Sequence, residues 1–249
     1  MVRTWEQRWL RSLTVVERPG LSVVCFPHSG GSAGFFAEWA PALPPEVRLL
    51  AVQYPGRGDR FRERPVGDVL TMAAGTAAEL LETARETPCV LFGHSLGALV
   101  AYETALALRD AGVQPLRLCV SSSPPPELAA GGRTHLGADE EFWTTLCELG
   151  GIDADIAGNT ELRSVLLPML RSDVRASETY RPRPGTAPLS CAVRCYHGDG
   201  DPLVEESTQP EWARVTTGDF ALWVRPGGHF HLRQDLAGLV ADTVQVTPV

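Results

Sequence analysis

The sequence predicts an α/β protein built on a mostly parallel, doubly wound sheet, and three observations carry that prediction. Six short β-rich runs, "LSVVCF" (21–26), "VRLLAVQY" (47–54), "PCVLFG" (88–93), "LRLCVSS" (116–122), "CAVRCYHG" (191–198) and "FALWVRPGG" (220–228), are apolar on both faces, as strands covered by helices must be. Amphipathic patterns at 69–86 and 97–110 fall between them, and strand–helix alternation implies crossover units. The third observation is size: 249 residues, 44% hydrophobic and 21% charged, suffice for one substantial core. Residues 1–249 read as a single domain.

Taken in order, the chain opens with "MVRTWEQRWLRSL", where Trp5, Trp9 and Leu13 recur every four residues and fit a short helix laid on the domain. That opening lacks the continuous apolar core of a signal peptide, and no run reaches the length of a spanning helix, so no membrane role is expected. The alternation then holds until about residue 121. From there some sixty residues pass without a convincing strand, and proline-rich hinges bracket "ADEEFWTTLCELGG" and "TELRSVLLPMLRSDVRASETY". A loop-bounded helical insertion between two strands, at about 124–187, is a favoured place for a lid. A net charge of −8 with no Lys/Arg cluster argues against nucleic acid. The six cysteines include no CxxC, and five of them lie in or beside strand-like runs, which fits buried thiols in a reducing cytoplasm.

The chemistry centres on "LFGHSLGALV" (91–100). Gly93-His94-Ser95-Leu96-Gly97 fits G-x-S-x-G, a serine on a strained turn between a strand and a helix. Such a turn needs small neighbours where strand and helix cross, and it aims the helix N-terminus at a developing oxyanion. A serine hydroxyl becomes a nucleophile when a base takes its proton and a carboxylate holds that base, in the chain order Ser, Asp, His. Asp199 and Asp201 both follow the "CAVRCYHG" strand. Asp199 lies in a Gly-Asp-Gly turn, whereas Asp201 precedes a proline that fixes the chain, and Asp201 is preferred. His229 follows a Gly-Gly pair after the last strand and is the expected base, while His231 is expected to start the final helix. His94 is a variable position of the turn, His197 closes a strand, and His135 in the insertion is expected in solvent. No histidine pair has metal-ligand spacing in a helical or carboxylate context, so no metal is expected. "CFPHSGG" (25–31) supplies the loop opposite the serine. The expected oxyanion donors are therefore the backbone N–H groups of Ser29 and Leu96.

With "CFPHSGG", "YPGRGDR" (54–60), "FGHSLGALVAYE" (92–103), "YHGDGDPLV" (196–204) and "GGHFHL" (227–232) in order, the chain resembles the stand-alone (type II) editing thioesterases of polyketide and non-ribosomal peptide synthase pathways. The resemblance covers nearly the whole length and implies the α/β-hydrolase fold, with Ser95 as nucleophile, Asp201 as orienting acid and His229 as base. It implies hydrolysis of acyl thioesters on the phosphopantetheine arm of acyl or peptidyl carrier protein domains, with no cofactor of the enzyme's own. Activity is expected to fall at acid pH as the base becomes protonated. A monomer is the default expectation. Gly58 and His231 depart from the pattern, standing where an acidic residue and a second aromatic are frequent. Two rivals remain: a carboxylesterase or lipase-like serine hydrolase acting on small oxyesters, and a non-catalytic protein that docks on a synthase.

Overall fold

The computed structural model describes residues 9–148, 152 and 154–246. A seven-stranded sheet runs through it: β1 (Leu10–Ser12), β2 (Leu21–Phe26), β3 (Val47–Val52), β4 (Cys89–His94), β5 (Arg117–Ser121), β6 (Ala192–Gly198) and β7 (Phe220–Arg225). Their order is β1-β3-β2-β4-β5-β6-β7. Every pairing is parallel except that of β1 with β3. Among the described residues six α-helices accompany the sheet: α1 (Val69–Glu86), α2 (Leu96–Asp110), α3 (Asp139–Glu148), α4 (Ala154–Ala157), α5 (Thr160–Thr179) and α6 (Leu236–Val244).

The six predicted strands are β2 to β7, and the predicted helix at 69–86 is α1, with Asp68 capping it by accepting from Thr71 N–H. Strand alternation divides the core in two. Val24, Phe26, Cys89, Leu91, Leu118 and Val120 pack under α1 and α2. Val23, Cys25, Val90, Phe92 and Cys119 face the opposite side, against α6 and the 3-10 segment Ala33–Ala42. Both faces are covered, which is why these strands read as continuous apolar runs. The cysteines form no disulfide among the described residues, and all but Cys147 are buried. No described helix is long and apolar enough to cross a membrane.

The helix expected around Trp5, Trp9 and Leu13 does not extend over the described residues. Trp5 lies outside the described residues, and Leu10–Ser12 is the antiparallel edge strand, with Leu10 opposite Val52. A four-residue spacing suits one face of a strand as readily as one turn of a helix. The free edge of β3 decides between them, because its backbone groups need partners. Within the insertion, α3 and α5 fall on the predicted helical patterns, and α5 runs through Pro168 although that residue has no N–H to give. Around Phe142, Trp143, Leu167, Met169 and Leu170 the insertion builds a small hydrophobic cluster of its own.

Trp39 is 1% exposed, with its ring centroid 4.6 Å from that of Phe92 and 5.5 Å from that of Phe36. Trp39→Ala should therefore cost about 3–5 kcal/mol. Urea unfolding will read this as a lower midpoint with an unchanged slope.

Candidate active site

Sheet order places the site. The chain steps from β2 to β3 on one side and returns to add β4 on the other, so the loops after β2 and β4 diverge from neighbouring strand ends, where Phe26 pairs with Gly93. Ligands of open α/β sheets bind at such a switch point. Ser95 occupies the turn after β4 with φ 54° and ψ −123°, a left-handed backbone that a non-glycine residue adopts only under constraint. The constraint is contact between backbones. A Cβ on Gly93 would meet Gly97 O at 2.2 Å, and one on Gly97 would meet Phe26 O at 2.0 Å. Ser95 N–H donates to Ser121 O at 2.8 Å, which ties the turn to the end of β5.

Of Asp199 and Asp201, the structure brings Asp201 to His229. His229 Nδ1 donates to Asp201 Oδ2 at 2.9 Å and lies 3.1 Å from Oδ1. Their side chains are 6% and 0% exposed. Burial pushes the Asp201 carboxyl upward, but hydrogen bonds from His229 and from Leu203 N–H outweigh it and hold the group below the usual carboxylate range. An ionised carboxylate only accepts, so the His229 proton is on Nδ1 and the lone pair is on Nε2. Nε2 makes no hydrogen bond among the described residues, and the link from nucleophile to base is commonly loose before substrate binds. Asp199 is exposed and accepts from Gly227 N–H at 2.9 Å, shaping the loop that leads to His229.

Ser29 and Leu96 border the same cavity as Ser95 and His229. Neither backbone N–H is spent on a protein acceptor among the described residues. Leu96 begins α2, where the first-turn amides have no helical partner. The cavity, about 240 Å³, is also lined by Leu146, Leu170 and Val174 of the insertion.

Several residues of the site have no signal in the sequence. His28 lies in the cavity wall, edge-on to Phe35 and Phe230, and burial, aided by nearby His229, Arg233 and Arg57, lowers its pKa to about 3. Ser122, at φ 47°, also borders the cavity, and its hydroxyl helps to hold Asp201 below the usual carboxylate range. Asp173 on α5 is fully buried, and only its place in the fold, 116 residues from its partner Arg57, could reveal it. His135 corrects an expectation. It is not solvated but half-buried, with its Nδ1 and N–H held by Glu178. His231 also differs, since it opens a 3-10 turn (His231–Arg233) and the final helix begins after the Asp235 cap. Its Nε2 shares the Ser121 hydroxyl with His94 Nδ1, at 3.1 Å each. Gly58 has φ 54°, and a Cβ there would meet Gln53 Nε2 at 2.7 Å, so glycine suits this position.

The sheet, the turn and the Asp201–His229 pair define an α/β-hydrolase with a serine-centred site. Residues 22–245 match the thioesterase domain family, and the chain belongs to it. Over 243 residues it is 38% identical to the thioesterase PikA5 of Streptomyces venezuelae, covering 96% of this chain and 86% of that protein. It is 37% identical to a probable cadicidin biosynthesis thioesterase of Streptomyces griseus, again over 96% of this chain but only 65% of that protein's length. The type II thioesterase BorB from the borrelidin biosynthetic cluster superposes with a TM-score of 0.82 at 38% identity, covering 95% of this chain and 98% of BorB.

Buried neutral histidines make stability depend on pH. Burial, with the charge of Arg225 nearby, lowers the pKa of His231 to about 4, against about 6.5 in an unfolded chain. Between those values the unfolded state binds a proton that the folded state refuses. Stability therefore falls as pH drops below about 6.5, by about 1.4 kcal/mol per unit for each such group, and levels off once the folded ring protonates. His231→Gln should flatten this limb in urea unfolding followed from about pH 7 to 4. An unchanged slope would mean that the ring is charged in the folded state.

Proposed function

We propose that the protein is a stand-alone thioesterase that frees acyl groups from the phosphopantetheine arm of carrier protein domains. The observation that carries this reading is a buried Asp201–His229 pair beside a strained serine, in a chain of the thioesterase family. The likeness to BorB, named a type II thioesterase, supports the editing role. In this reading residues 124–187 act as a lid on a single-domain monomer. It works in the cytoplasm without a cofactor, metal, nucleic acid or membrane.

The reaction assigns each group a task. Ser95 Oγ attacks the thioester carbonyl and its proton passes to His229 Nε2, while Asp201 stabilises the imidazolium through Nδ1. The tetrahedral oxyanion accepts from Ser29 N–H and Leu96 N–H, donors of a kind worth about 2.7–4 kcal/mol each to the transition state. Collapse breaks the C–S bond, and the departing pantetheine sulfur takes the proton from His229. Water then attacks the acyl-serine, giving a proton to Nε2. The second collapse returns that proton to Oγ and releases the acid.

The test is acyl release from carrier-protein thioesters beside matched coenzyme A thioesters and p-nitrophenyl esters. Faster release from carriers, lost in Ser95→Ala, is the expected result. Preference for the oxyesters would make the protein a general esterase, and turnover by Ser95→Ala would remove the serine from the mechanism. Asp201→Asn should lower kcat on the order of 10⁴-fold, because the amide donates to Nδ1 and selects the wrong tautomer. A loss of tenfold or less, roughly the scale of a modest perturbation, would put the orienting role elsewhere.

A further inference from the structure

Outside the Asp201–His229 pair, a second carboxylate is buried beside the site: Asp173, on α5 of the insertion. Its carboxylate is fully buried, and Arg57, 4% exposed, grips it with two bonds: Nη1 to Oδ2 at 2.6 Å and Nη2 to Oδ1 at 2.8 Å. Taking an ion pair out of water seldom stabilises a fold beyond what an apolar pair of the same volume would give, so the pair needs another reason to exist. The third bond supplies one. Gly30 N–H donates to Asp173 Oδ2 at 2.7 Å, one residue beyond Ser29.

The rest of that loop is fixed from the same side. Arg57 Nη1 donates to Gly31 O at 3.4 Å, and Gln53 accepts from Ala33 N–H while donating to Arg57 O. Gly30 has φ +81°, and a Cβ there would meet Leu170 Cδ2 at 2.6 Å. Leu170 lies one helical turn before Asp173 and forms part of the cavity wall. The helix that bounds the acyl cavity is therefore the helix that holds the loop after β2.

We propose that Asp173 is a positioning residue: through Gly30 and Arg57 it sets the Ser29 N–H for the oxyanion, so that docking of α5 against the loop and completion of the oxyanion site are one event. This rests on the thioesterase reading above. It adds that a residue of the insertion, never touching substrate, governs the rate of the chemical step. An interaction needed only in the transition state shows in kcat and leaves KM alone.

Two variants test it in the full-length protein. Asp173→Asn keeps the volume and loses the charge, and Arg57→Met/Asp173→Leu replaces the pair with apolar side chains while removing the acceptor for Gly30. Asp173→Asn strands the buried Arg57 charge and should lower the thermal midpoint, whereas the double variant should keep it; in each folded variant KM should stay at wild type while kcat falls about ten- to a hundredfold, the scale of a misplacement near 1 Å. Wild-type kcat in either folded variant, or a change confined to KM, overturns the proposal. Hydrogen exchange in the unaltered protein gives a check independent of folding: the Gly30 amide should be protected as strongly as the α5 amides from Leu170 to Val174. A Gly30 amide that exchanges freely while α5 is protected also overturns it. Ser95→Ala is assayed alongside. Turnover there defeats the hydrolase reading itself, whereas turnover lost there but intact in the Asp173 variants defeats only the positioning role.

Discussion

Everything at the carboxyl edge of the sheet depends on one backbone contact, the crossing of the β4–α2 turn over the end of β2. Gly97 brings α2 so close to Phe26 that no side chain fits between them, and Gly93 does the same between the strand and the helix it feeds. The closeness is what forces Ser95 into a left-handed backbone and lifts its hydroxyl above the sheet. It also fixes how far the loop after β2 lies from the first turn of α2. The two unspent amides are thus set by the same contact that strains the serine.

Around that turn the Asp201–His229 pair sits among neutral rings. His28, His94 and His231 are all held uncharged, chiefly by burial. His94 lies 5.1 Å from His229, centroid to centroid. Were these rings charged, they would oppose the positive charge that His229 must carry when it takes the serine proton. Kept neutral, His28 packs against Phe35 and Phe230, His94 against Phe230 and His231, and Asp201 is left as the group that answers that charge. The cost is borne by the folded state in acid, where each refused proton favours the unfolded chain.

How much of this was legible in the sequence follows from how far apart the interacting residues are. The strands, α1, α2 and the serine turn were readable because apolar runs, amphipathic spacing and G-x-S-x-G are local in the chain. Asp201 and His229, which the structure brings together, could be nominated because each follows a strand end, and the preference for Asp201 over Asp199 rested on the proline beside it. The edge strand Leu10–Ser12 was not, since its conformation is dictated by the vacant edge of β3 rather than by its own periodicity. Asp173 and Arg57 were invisible for a similar reason: nothing near either residue says that its partner is 116 positions away. His135 looked like a surface group because Glu178, which captures it, is 43 residues further on.

The insertion's separate hydrophobic cluster has a further consequence. Phe142, Trp143, Leu167, Met169 and Leu170 pack on one another and not on the two layers of the sheet. Apart from the tie at Asp173, α5 is fastened at its far end by Tyr180, whose hydroxyl donates to Glu103 of α2 at 2.5 Å. Changes inside such a cluster combine additively with changes in the sheet, because the two share few neighbours. Side chains of that one small nucleus can therefore be exchanged, with both fastenings kept, to reshape the cavity wall without rebuilding the core that holds the serine turn.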